Sequence, residues 1–248
     1  MRYAIITVAG LSERFNKGYD NPMLKCIYYT NDEKLTLLYS ILEKCQGMDK
    51  IIIVGGFQYD LLREYVKKYS GDFPFEIELV YNEKFSKYGS GYSLYKGIQI
   101  CYERKDFSEI IFVEGDLYFD KKTFDEIKTS TYNVITTNDE AICSNKAVAL
   151  YINAENKIRY IYNTSHGLFK ITEPFSEIHN SGQVWKLVDK EKFYRAYESL
   201  GETDWQGTNL VFLEKYYNEI ETDRIKFLRF SKWINCNSRE DYKKIKDC

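Results

Sequence analysis

Short apolar runs rich in isoleucine and valine alternate with helix-periodic segments through the first 120 residues of this chain. Apolar residues recur at helical spacing after the first and second runs, and a third helical pattern covers residues 92–101. Buried strands that alternate with helices are typical of a mostly parallel sheet joined by right-handed crossovers. The four runs, each predicted to be a strand, are residues 4–8, 51–54, 77–81 and 110–113.

The second half of the sequence is less regular, although it contains no linker, internal repeat or low-complexity segment. We therefore predict a single α/β domain over residues 1–248, with a Rossmann-like mixed, mostly parallel sheet flanked by helices. Shorter strands near a sheet edge, for which an antiparallel arrangement is open, are predicted at residues 134–137, 147–152 and 157–162. Further strands are predicted at residues 183–188 and 225–230, and helices at residues 191–200, 210–217 and 240–246.

The composition excludes several classes of protein. A formal net charge of −2 gives no basic excess for nucleic acid, so phosphate binding would need a few placed cations and backbone amides. Six cysteines without a C-x-x-C spacing and only two histidines argue against a zinc site or a disulfide framework. The N-terminal apolar stretch, residues 3–10, is too short to span a bilayer. These features predict a cytoplasmic protein that binds neither nucleic acid nor membrane.

Ligands of parallel sheets bind at the carboxyl ends of the strands, so the turn after the first strand is the first candidate site. Small residues at this turn would let backbone amides approach a triphosphate. Arg14 and Lys25 could neutralise the charge that develops on phosphate oxygens. The alternative is an ordinary turn with a surface arginine and lysine. The candidate phosphate-binding residues of the turn are Val8, Ala9, Gly10 and Ser12.

The tip of the fourth strand carries Asp116, which is our first candidate for a metal ligand because Mg²⁺ prefers oxygen. The alternative is a turn or helix-capping aspartate. Glu114 and Asp120 are further candidates, for which a solvated face and the cap of a helix beginning near residue 121 are the competing interpretations.

A second candidate metal ligand, Asn237, follows a short strand near the C-terminus. An amide oxygen can bind Mg²⁺, although it brings no charge. The competing interpretation is a cap for the last helix, because Ser238 and Asp241 resemble a capping box.

The glycine-rich turn that opens the helix at residues 92–101 is the remaining candidate segment. Such a turn suits close approach to a nucleotide base or a phosphate, and a flexible Gly-Ser loop is the alternative. The candidate nucleotide-binding residues here are Asn82, Gly89, Ser90 and Gly91.

These segments together resemble the nucleotidyltransferase family. Residues 5–10 with Arg14, followed by Pro22 and Lys25, are similar to its opening signature A-G-x-G-x-R with a later P-K. Ser12 replaces the second glycine of that signature. The segments around Asp116 and Asn237 resemble the family's G-D segment and its closing metal-binding segment. The Y-N-x-x-F of residues 81–85, followed by an S-L helix, is most similar to the CTP:phosphocholine cytidylyltransferase branch.

The resemblance implies a reaction as well as a fold. It implies CTP as donor, Mg²⁺ held by Asp116 and Asn237, and charge stabilisation by Lys25 and Arg14. The acceptor would be a small phosphorylated compound of the phosphocholine type or of the phosphoglutamine type, which a close relative in the branch would use for capsule phosphoramidate. Residues 1–120 would bind the nucleotide, and residues 121–248 would bind the acceptor and close the site.

The acceptor pocket is expected between residues 134 and 205, where no motif is secure. An amino-acid acceptor would need a cationic partner for its carboxylate, such as Lys186 or Arg159, whereas choline would need aromatic faces. The identity of the acceptor, the choice of CTP over UTP and the oligomeric state stay open. Candidate side chains in this region are His166, His179, Ser181, Gln183, Trp185 and Lys186.

Three other functions remain open on the sequence. A sugar-1-phosphate nucleotidyltransferase would share the same motifs. A GT-A-like glycosyltransferase would need a D-x-D motif, to which residues 114–116 are only an approximation. A non-catalytic nucleotide-binding regulator is favoured by the departures at Ser12 and Asn237. A dehydrogenase is the weakest alternative, because no G-x-G-x-x-G follows any predicted strand.

Overall fold

The computed structural model describes residues 1–143, 148–161 and 169–246. Within these ranges, strands and helices alternate through the first half as predicted. The strands are β1 (Arg2–Thr7), β2 (Lys50–Gly55), β3 (Glu76–Tyr81), β4 (Glu109–Glu114), β5 (Leu117–Phe119), β6 (Asn133–Asn138), β7 (Ala149–Asn153), β8 (Ile158–Ile161), β9 (Phe175–Leu187), β10 (Ile225–Arg229) and β11 (Trp233–Asn235). The α-helices are α1 (Glu13–Asn16), α2 (Leu37–Lys44), α3 (Tyr59–Tyr69), α4 (Ser90–Arg104), α5 (Lys121–Thr129), α6 (Lys190–Glu198), α7 (Glu202–Gln206), α8 (Leu210–Tyr217) and α9 (Arg239–Lys246).

One mixed sheet runs through the described part of the chain in the order β10-β6-β9-β4-β1-β2-β3. The strand β1 is parallel to both of its neighbours, β2 and β4, and β2 is parallel to β3. The predicted α/β fold class, with a mostly parallel arrangement of the first four strands, is therefore confirmed. This arrangement brings the carboxyl ends of β1 and β4 side by side, where a ligand site is expected.

Helices cover both faces of the parallel strands. On one face, Ala4 and Ile6 pack in a core with residues of α2, α3 and α5. On the other face, Tyr3 and Ile5 pack with residues of α4, α6 and α8. All four of these β1 side chains are fully buried, because successive side chains of a strand point to opposite faces. Burial on both faces explains why the strands of the first half appear as continuous apolar runs.

The long strand β9 organises the second half. It is antiparallel to β4, β6 and β7, and it extends back to Phe175 from the predicted residues 183–188. Its first residues are exposed or half-buried, so they give no apolar run in the sequence. β7 and β8 form an antiparallel pair beside β9, as predicted for short edge strands.

Residues 134–137 form part of β6, which lies near an edge of the sheet as predicted. It stands between the antiparallel strand β9 and the parallel edge strand β10. Residues 147 and 162, the ends of two predicted strands, lie outside the described residues. The short elements α1, α7 and β5 are absent from the sequence prediction, since elements of three to five residues carry no measurable periodicity.

No helix among the described residues is long and apolar enough to cross a membrane. The five described cysteines are free thiols, and all except Cys143 are buried, as the scattered spacing predicts. The sixth cysteine of the sequence, Cys248, lies outside the described residues.

Candidate active site

A cavity of about 230 Å³ lies at the carboxyl ends of β1 and β4. Its walls come from the turn after β1, the loop that enters α4, and the residues that follow β4. Two aromatic side chains, Phe85 and Tyr88, also line it. Phe85 is the last residue of the Y-N-x-x-F segment, whereas no sequence signal singled out Tyr88. The predicted site residues that line the cavity are Val8, Ala9, Gly10, Ser12, Lys25, Gly89, Ser90 and Asp116.

The turn after β1 has the backbone shape that the family signature suggests. Ser12, which stands where that signature has its second glycine, adopts the left-handed conformation with a φ of 57°. Glycine reaches this conformation without steric cost, whereas serine adopts it with some strain. At Gly10, an added Cβ would meet no atom within 4 Å among the described residues, which leaves open space beside the cavity.

An ion pair forms the centre of the cavity wall. The Lys25 ammonium donates to Asp116 Oδ2 at 2.7 Å, and both side chains are largely but not fully buried. The other carboxylate oxygen, Asp116 Oδ1, is buried and has no hydrogen-bond partner within the described ranges. A buried, unpaired carboxylate oxygen is costly unless a ligand or ion completes its bonding.

The C-terminal segment brings Asn237 next to the end of β4. The strand β11 pairs antiparallel with β5, and the Cys236 N–H donates to Asp116 O at 2.8 Å. The capping box is formed by Ser238 and Asp241, whose side chains bond each other's backbone N–H groups. The side chain of Asn237 is therefore not the cap, and its Oδ1 is buried without a partner in the described chain.

These two side-chain oxygen atoms without a hydrogen-bond partner in the described chain are of the type that binds Mg²⁺. Asp116 Oδ1 and Asn237 Oδ1 are both buried and unpaired among the described residues, and Mg²⁺ takes oxygen ligands from one or two side chains while keeping several waters. The same described residues contain no group of three or more histidine, cysteine or acidic side chains that could hold a metal. Asp116 lines the cavity, and Asn237 does not belong to the set of described residues that line it. Two oxygen donors fit a hard cation whose remaining ligands are waters or substrate oxygens.

The two further acidic candidates have different environments. Asp120 caps α5 by accepting from the Thr123 N–H at 2.8 Å, so the capping interpretation is correct for it. Glu114 lines the cavity and accepts from Asn209 Nδ2 at 2.7 Å. Burial, followed by the nearby negative charge of Asp116, raises the pKa of Glu114 to about 7, while the bond from Asn209 and the charge of Lys25 act in the opposite direction.

Arg14 is placed differently from the other predicted catalytic residue. It is exposed on the one-turn helix α1, and it does not belong to the set of described residues that line the cavity. Its neighbour Phe15 is buried and fixes the orientation of this short helix. The structure brings Lys25 and Asp116 together but leaves Arg14 outside, so its role stays a prediction.

The glycine-rich loop is packed against a later part of the chain. The Gly89 N–H donates to Gln206 O at 2.8 Å, and the Gly91 N–H donates to Gly207 O at 3.0 Å. A Cβ on Gly89 would lie 2.2 Å from the Gly207 carbonyl oxygen. The glycines are therefore needed for contact within the protein, and the alternative of a free Gly-Ser loop is wrong.

Asn82 supports this loop through buried hydrogen bonds and does not belong to the described residues that line the cavity. Its Nδ2 donates to Ser93 Oγ at 2.9 Å, and its Oδ1 accepts from the Lys84 N–H at 2.8 Å. The side chain is 1% exposed, so both of its polar ends are used inside the protein. Asn82 thus supports the nucleotide loop, and a direct contact to a nucleotide stays a prediction.

The second-half candidates have structural partners. Lys186 is fully buried and donates to the carbonyl oxygens of Lys128 and Ser130. Trp185 Nε1 donates to Tyr160 Oη at 2.8 Å inside the core.

Most of the remaining acceptor candidates also have partners. Arg159 is paired with Glu173 and Glu214, and His179 with Glu177. Ser181 Oγ accepts from the Gln183 N–H, whereas the Gln183 side chain is buried with its Nε2 unpaired among the described residues. His166 lies outside the described residues. The expectation of an acceptor pocket built from these side chains therefore finds no support in the geometry, because the antiparallel strands fold most of them into the core.

Comparison with known proteins agrees with the fold. The chain has a nucleotidyltransferase fold: it superposes on CTP:phosphocholine cytidylyltransferase from Streptococcus pneumoniae with a TM-score of 0.67 and 19% identity, covering 99% of this chain and 98% of that one. Residues 21–248 match the family described as a domain of unknown function, DUF6564, and the chain belongs to this family.

Two further solved structures support the fold assignment. The inositol-1-phosphate CTP transferase from T. maritima gives a TM-score of 0.66 at 18% identity, covering 99% of this chain and 95% of that one. A putative glucose-1-phosphate thymidylyltransferase from Bacillus anthracis gives 0.70 at 12% identity, covering 100% and 94%.

A curated relative gives the same assignment at the level of sequence. The chain is 24% identical to choline-phosphate cytidylyltransferase of Streptococcus pneumoniae, over 98% of this chain and 96% of that protein. The resemblance to nucleotidyltransferases of the cytidylyltransferase branch is confirmed.

Proposed function

We propose that the protein is a Mg²⁺-dependent cytidylyltransferase that transfers CMP from CTP to a small phosphorylated acceptor and releases pyrophosphate. The observation that carries the proposal is the Lys25–Asp116 ion pair, which lies in a cavity lined by both the turn after β1 and the loop that enters α4. The similarity to a choline-phosphate cytidylyltransferase supports CTP as the donor.

In the proposed reaction, a phosphate oxygen of the acceptor attacks the α-phosphorus of CTP in line. A new phosphorus–oxygen bond forms, the bond from the α-phosphorus to the bridging oxygen breaks, and its electron pair leaves with pyrophosphate. The transfer needs no covalent intermediate on the enzyme. The contribution of the protein is therefore to align the two substrates and to stabilise the charge on the phosphate oxygens.

Two parts of the cavity wall are suited to bind the triphosphate of the nucleotide. The open space beside Gly10 leaves room for a phosphate next to the backbone of the turn after β1. Gly89 and Ser90, at the beginning of α4, also line the cavity. The N-terminus of this 15-residue helix favours negative charge because of the helix dipole, while the Gly91 N–H is bonded to Gly207 O.

We propose that Asp116 and Asn237 hold Mg²⁺ through their unpaired oxygen atoms. The ion would supply charge neutralisation for the phosphate oxygens. Lys25 is bonded to the other carboxylate oxygen, Asp116 Oδ2, so it would keep this bond. Its ammonium has further N–H groups that would donate to a phosphate oxygen of the nucleotide.

For the acceptor we propose a phosphorylated amine or amino acid of the phosphocholine or phosphoglutamine type, whose CDP-linked product would serve the decoration of a surface polysaccharide. The support is the sequence similarity to the choline-phosphate enzyme, which covers nearly the whole chain. Sugar 1-phosphates are the competing acceptors, because proteins that use them share this fold.

The test is pyrophosphate release from each of the four nucleoside triphosphates, with phosphocholine, phosphoglutamine and a panel of sugar 1-phosphates, with and without Mg²⁺. We expect release with CTP and one of the first two acceptors, and none without the metal. Competition at equal acceptor concentrations, with products separated by mass, ranks the acceptors. A dominant nucleoside diphosphate sugar would contradict the acceptor proposal, and activity in excess chelator would contradict the metal.

A further inference from the structure

Residues 201–209, which we call the brace segment, connect two walls of the cavity. The segment contains α7, and it follows the helix α6 on the face of the sheet away from β11. None of its residues was a candidate site residue in the sequence analysis. Its contacts, however, reach both the nucleotide loop and the end of β4.

The side chain of Asn209 does not act as a helix cap in the described structure. Although Asn209 precedes α8, it makes no side-chain capping bond, and the Leu210 N–H bonds Thr208 Oγ1 instead. The Asn209 amide is 2% exposed and donates from Nδ2 to Glu114 Oε1 at 2.7 Å. The Asn209 side chain thus does not cap α8 but bonds a residue 95 positions earlier in the sequence.

The backbone of the same segment holds the nucleotide loop. The carbonyl oxygens of Gln206 and Gly207 accept from the N–H groups of Gly89 and Gly91, and the Asn209 N–H donates to Ser90 Oγ at 3.2 Å. One segment therefore contacts the start of α4 through its backbone and a cavity carboxylate through the Asn209 side chain.

Glu114 stands two residues from Asp116 on the wall of the same cavity. A Mg²⁺ ion bound by few side chains retains several waters, and these waters need hydrogen-bond acceptors. Groups in the outer shell of a metal orient its ligands, and their loss commonly costs 10-fold to 100-fold in metal affinity or activity. A carboxylate that is held by one oxygen and still lines the cavity is suited to this task.

We propose that Asn209 is a positioning residue for the metal: it holds Glu114 so that the carboxylate accepts a hydrogen bond from water on the Mg²⁺ at Asp116. The inference rests on the proposed function, because that proposal places the metal at Asp116. It adds an outer-shell pair, Asn209 and Glu114, and it makes the brace segment a link between nucleotide binding and metal binding.

The test measures Mn²⁺ binding to the CTP-loaded full-length protein by electron paramagnetic resonance. Asn209→Ala keeps the backbone N–H that bonds Ser90, so CTP affinity measured in chelator should stay within about twofold of wild type. Mn²⁺ affinity should fall by roughly 10-fold to 100-fold, and Glu114→Gln should cause a similar loss. The double variant should be no worse than Glu114→Gln alone, because both changes act through the same carboxylate.

Gln206→Ala is the matched control, since Gln206 belongs to the same segment and its exposed side chain contacts Glu202. It should bind Mn²⁺ as the wild type does. If Asn209→Ala lowers the thermal midpoint by more than a few degrees, Asn209→Leu provides a variant of similar volume without the donor.

The possible results separate the two proposals. Wild-type Mn²⁺ affinity in the Asn209 variants, or additive losses in the double variant, would overturn the inference and leave the proposed function intact. A wild-type protein that binds CTP but adds nothing to the Mn²⁺ affinity of free CTP would refute the metal site itself. An Asn209 variant that loses CTP in chelator as strongly as it loses Mn²⁺ would reduce the role of Asn209 to packing.

Discussion

Two buried lysines, one in each half of the molecule, form similar ion pairs in different surroundings. In the nucleotide half, Lys25 pairs with Asp116 at 2.7 Å on the wall of an open cavity. In the second half, Lys186 pairs with Glu109 at 2.9 Å, donates to two backbone carbonyls and is fully buried. The ammonium of Lys186 has its bonds completed by the protein, whereas the partner of Lys25 keeps an unpaired oxygen.

The difference shows how a reactive ion pair can be separated from a structural one. Breaking a buried and fully bonded pair leaves an uncompensated charge in the core, so its effect is on folding. A pair beside a cavity can exchange partners with a ligand, so its effect is on binding and chemistry. The following predictions test this contrast, in order of decreasing effect on turnover.

Asp116→Ala should have the largest effect on turnover. It removes the proposed metal-binding carboxylate, and we expect pyrophosphate release to fall by roughly a thousandfold with little change in the thermal midpoint. The matched control is Asp120→Asn, which removes the same charge four residues away but retains a residue suited to cap α5. Wild-type release by Asp116→Ala would show that the pair is structural after all.

Lys25→Ala should lower kcat more than it lowers CTP affinity. Charge develops on the phosphate oxygens in the transition state, so we expect kcat to fall by roughly 100-fold or more. The dissociation constant of CTP, measured by calorimetry, should rise by less than about tenfold. Equal losses in both quantities would indicate that Lys25 only binds the ground state of the nucleotide.

Gly89→Ala should weaken CTP binding to an intermediate extent, because the new side chain would clash with a segment from the second half of the chain. Its Cβ would lie 2.2 Å from the Gly207 carbonyl oxygen, so the loop must move away from the brace segment. We expect CTP affinity to weaken by about tenfold, a value of the size expected when one good hydrogen bond is lost. Gly71→Ala is the control, because a Cβ there meets no described atom within 4 Å.

Lys186→Met should have the smallest effect on turnover and a large effect on stability. It removes the donor to two backbone carbonyls and leaves Glu109 with Arg2 as its charged partner. We expect the free energy of unfolding in urea to fall by about 3 kcal/mol. Turnover per folded molecule should stay within about twofold of wild type. Lys243→Met, which breaks an exposed pair with Glu240, should change stability by less than about 1 kcal/mol. A hundredfold loss of turnover in Lys186→Met would erase the distinction between the two lysines.

Much of the nucleotide half was predictable because its signals are local. Continuous apolar runs indicate strands buried on both faces, and the first residues after such a strand must lie at the ligand-binding edge of a parallel sheet. Asp116 was identified in this way, and Lys25 through the resemblance of Pro22 and Lys25 to the P-K of the family signature. The structure brings the two residues into one ion pair. The turn at Ser12 and the capping box of Ser238 and Asp241 are likewise short-range features.

Only the tertiary structure decided which polar side chains have partners. Lys186 bonds carbonyl groups 56 and 58 residues away, and Asn209 bonds a carboxylate 95 residues away, so neither environment follows from neighbouring sequence. The sequence by itself determined the alternating strands and helices, because hydrophobic periodicity reports which face of each element is buried. The assignment of Lys186 to the core and of Asn209 to the cavity wall required the packing of distant segments, because a hydrogen bond depends on the position and direction of both atoms.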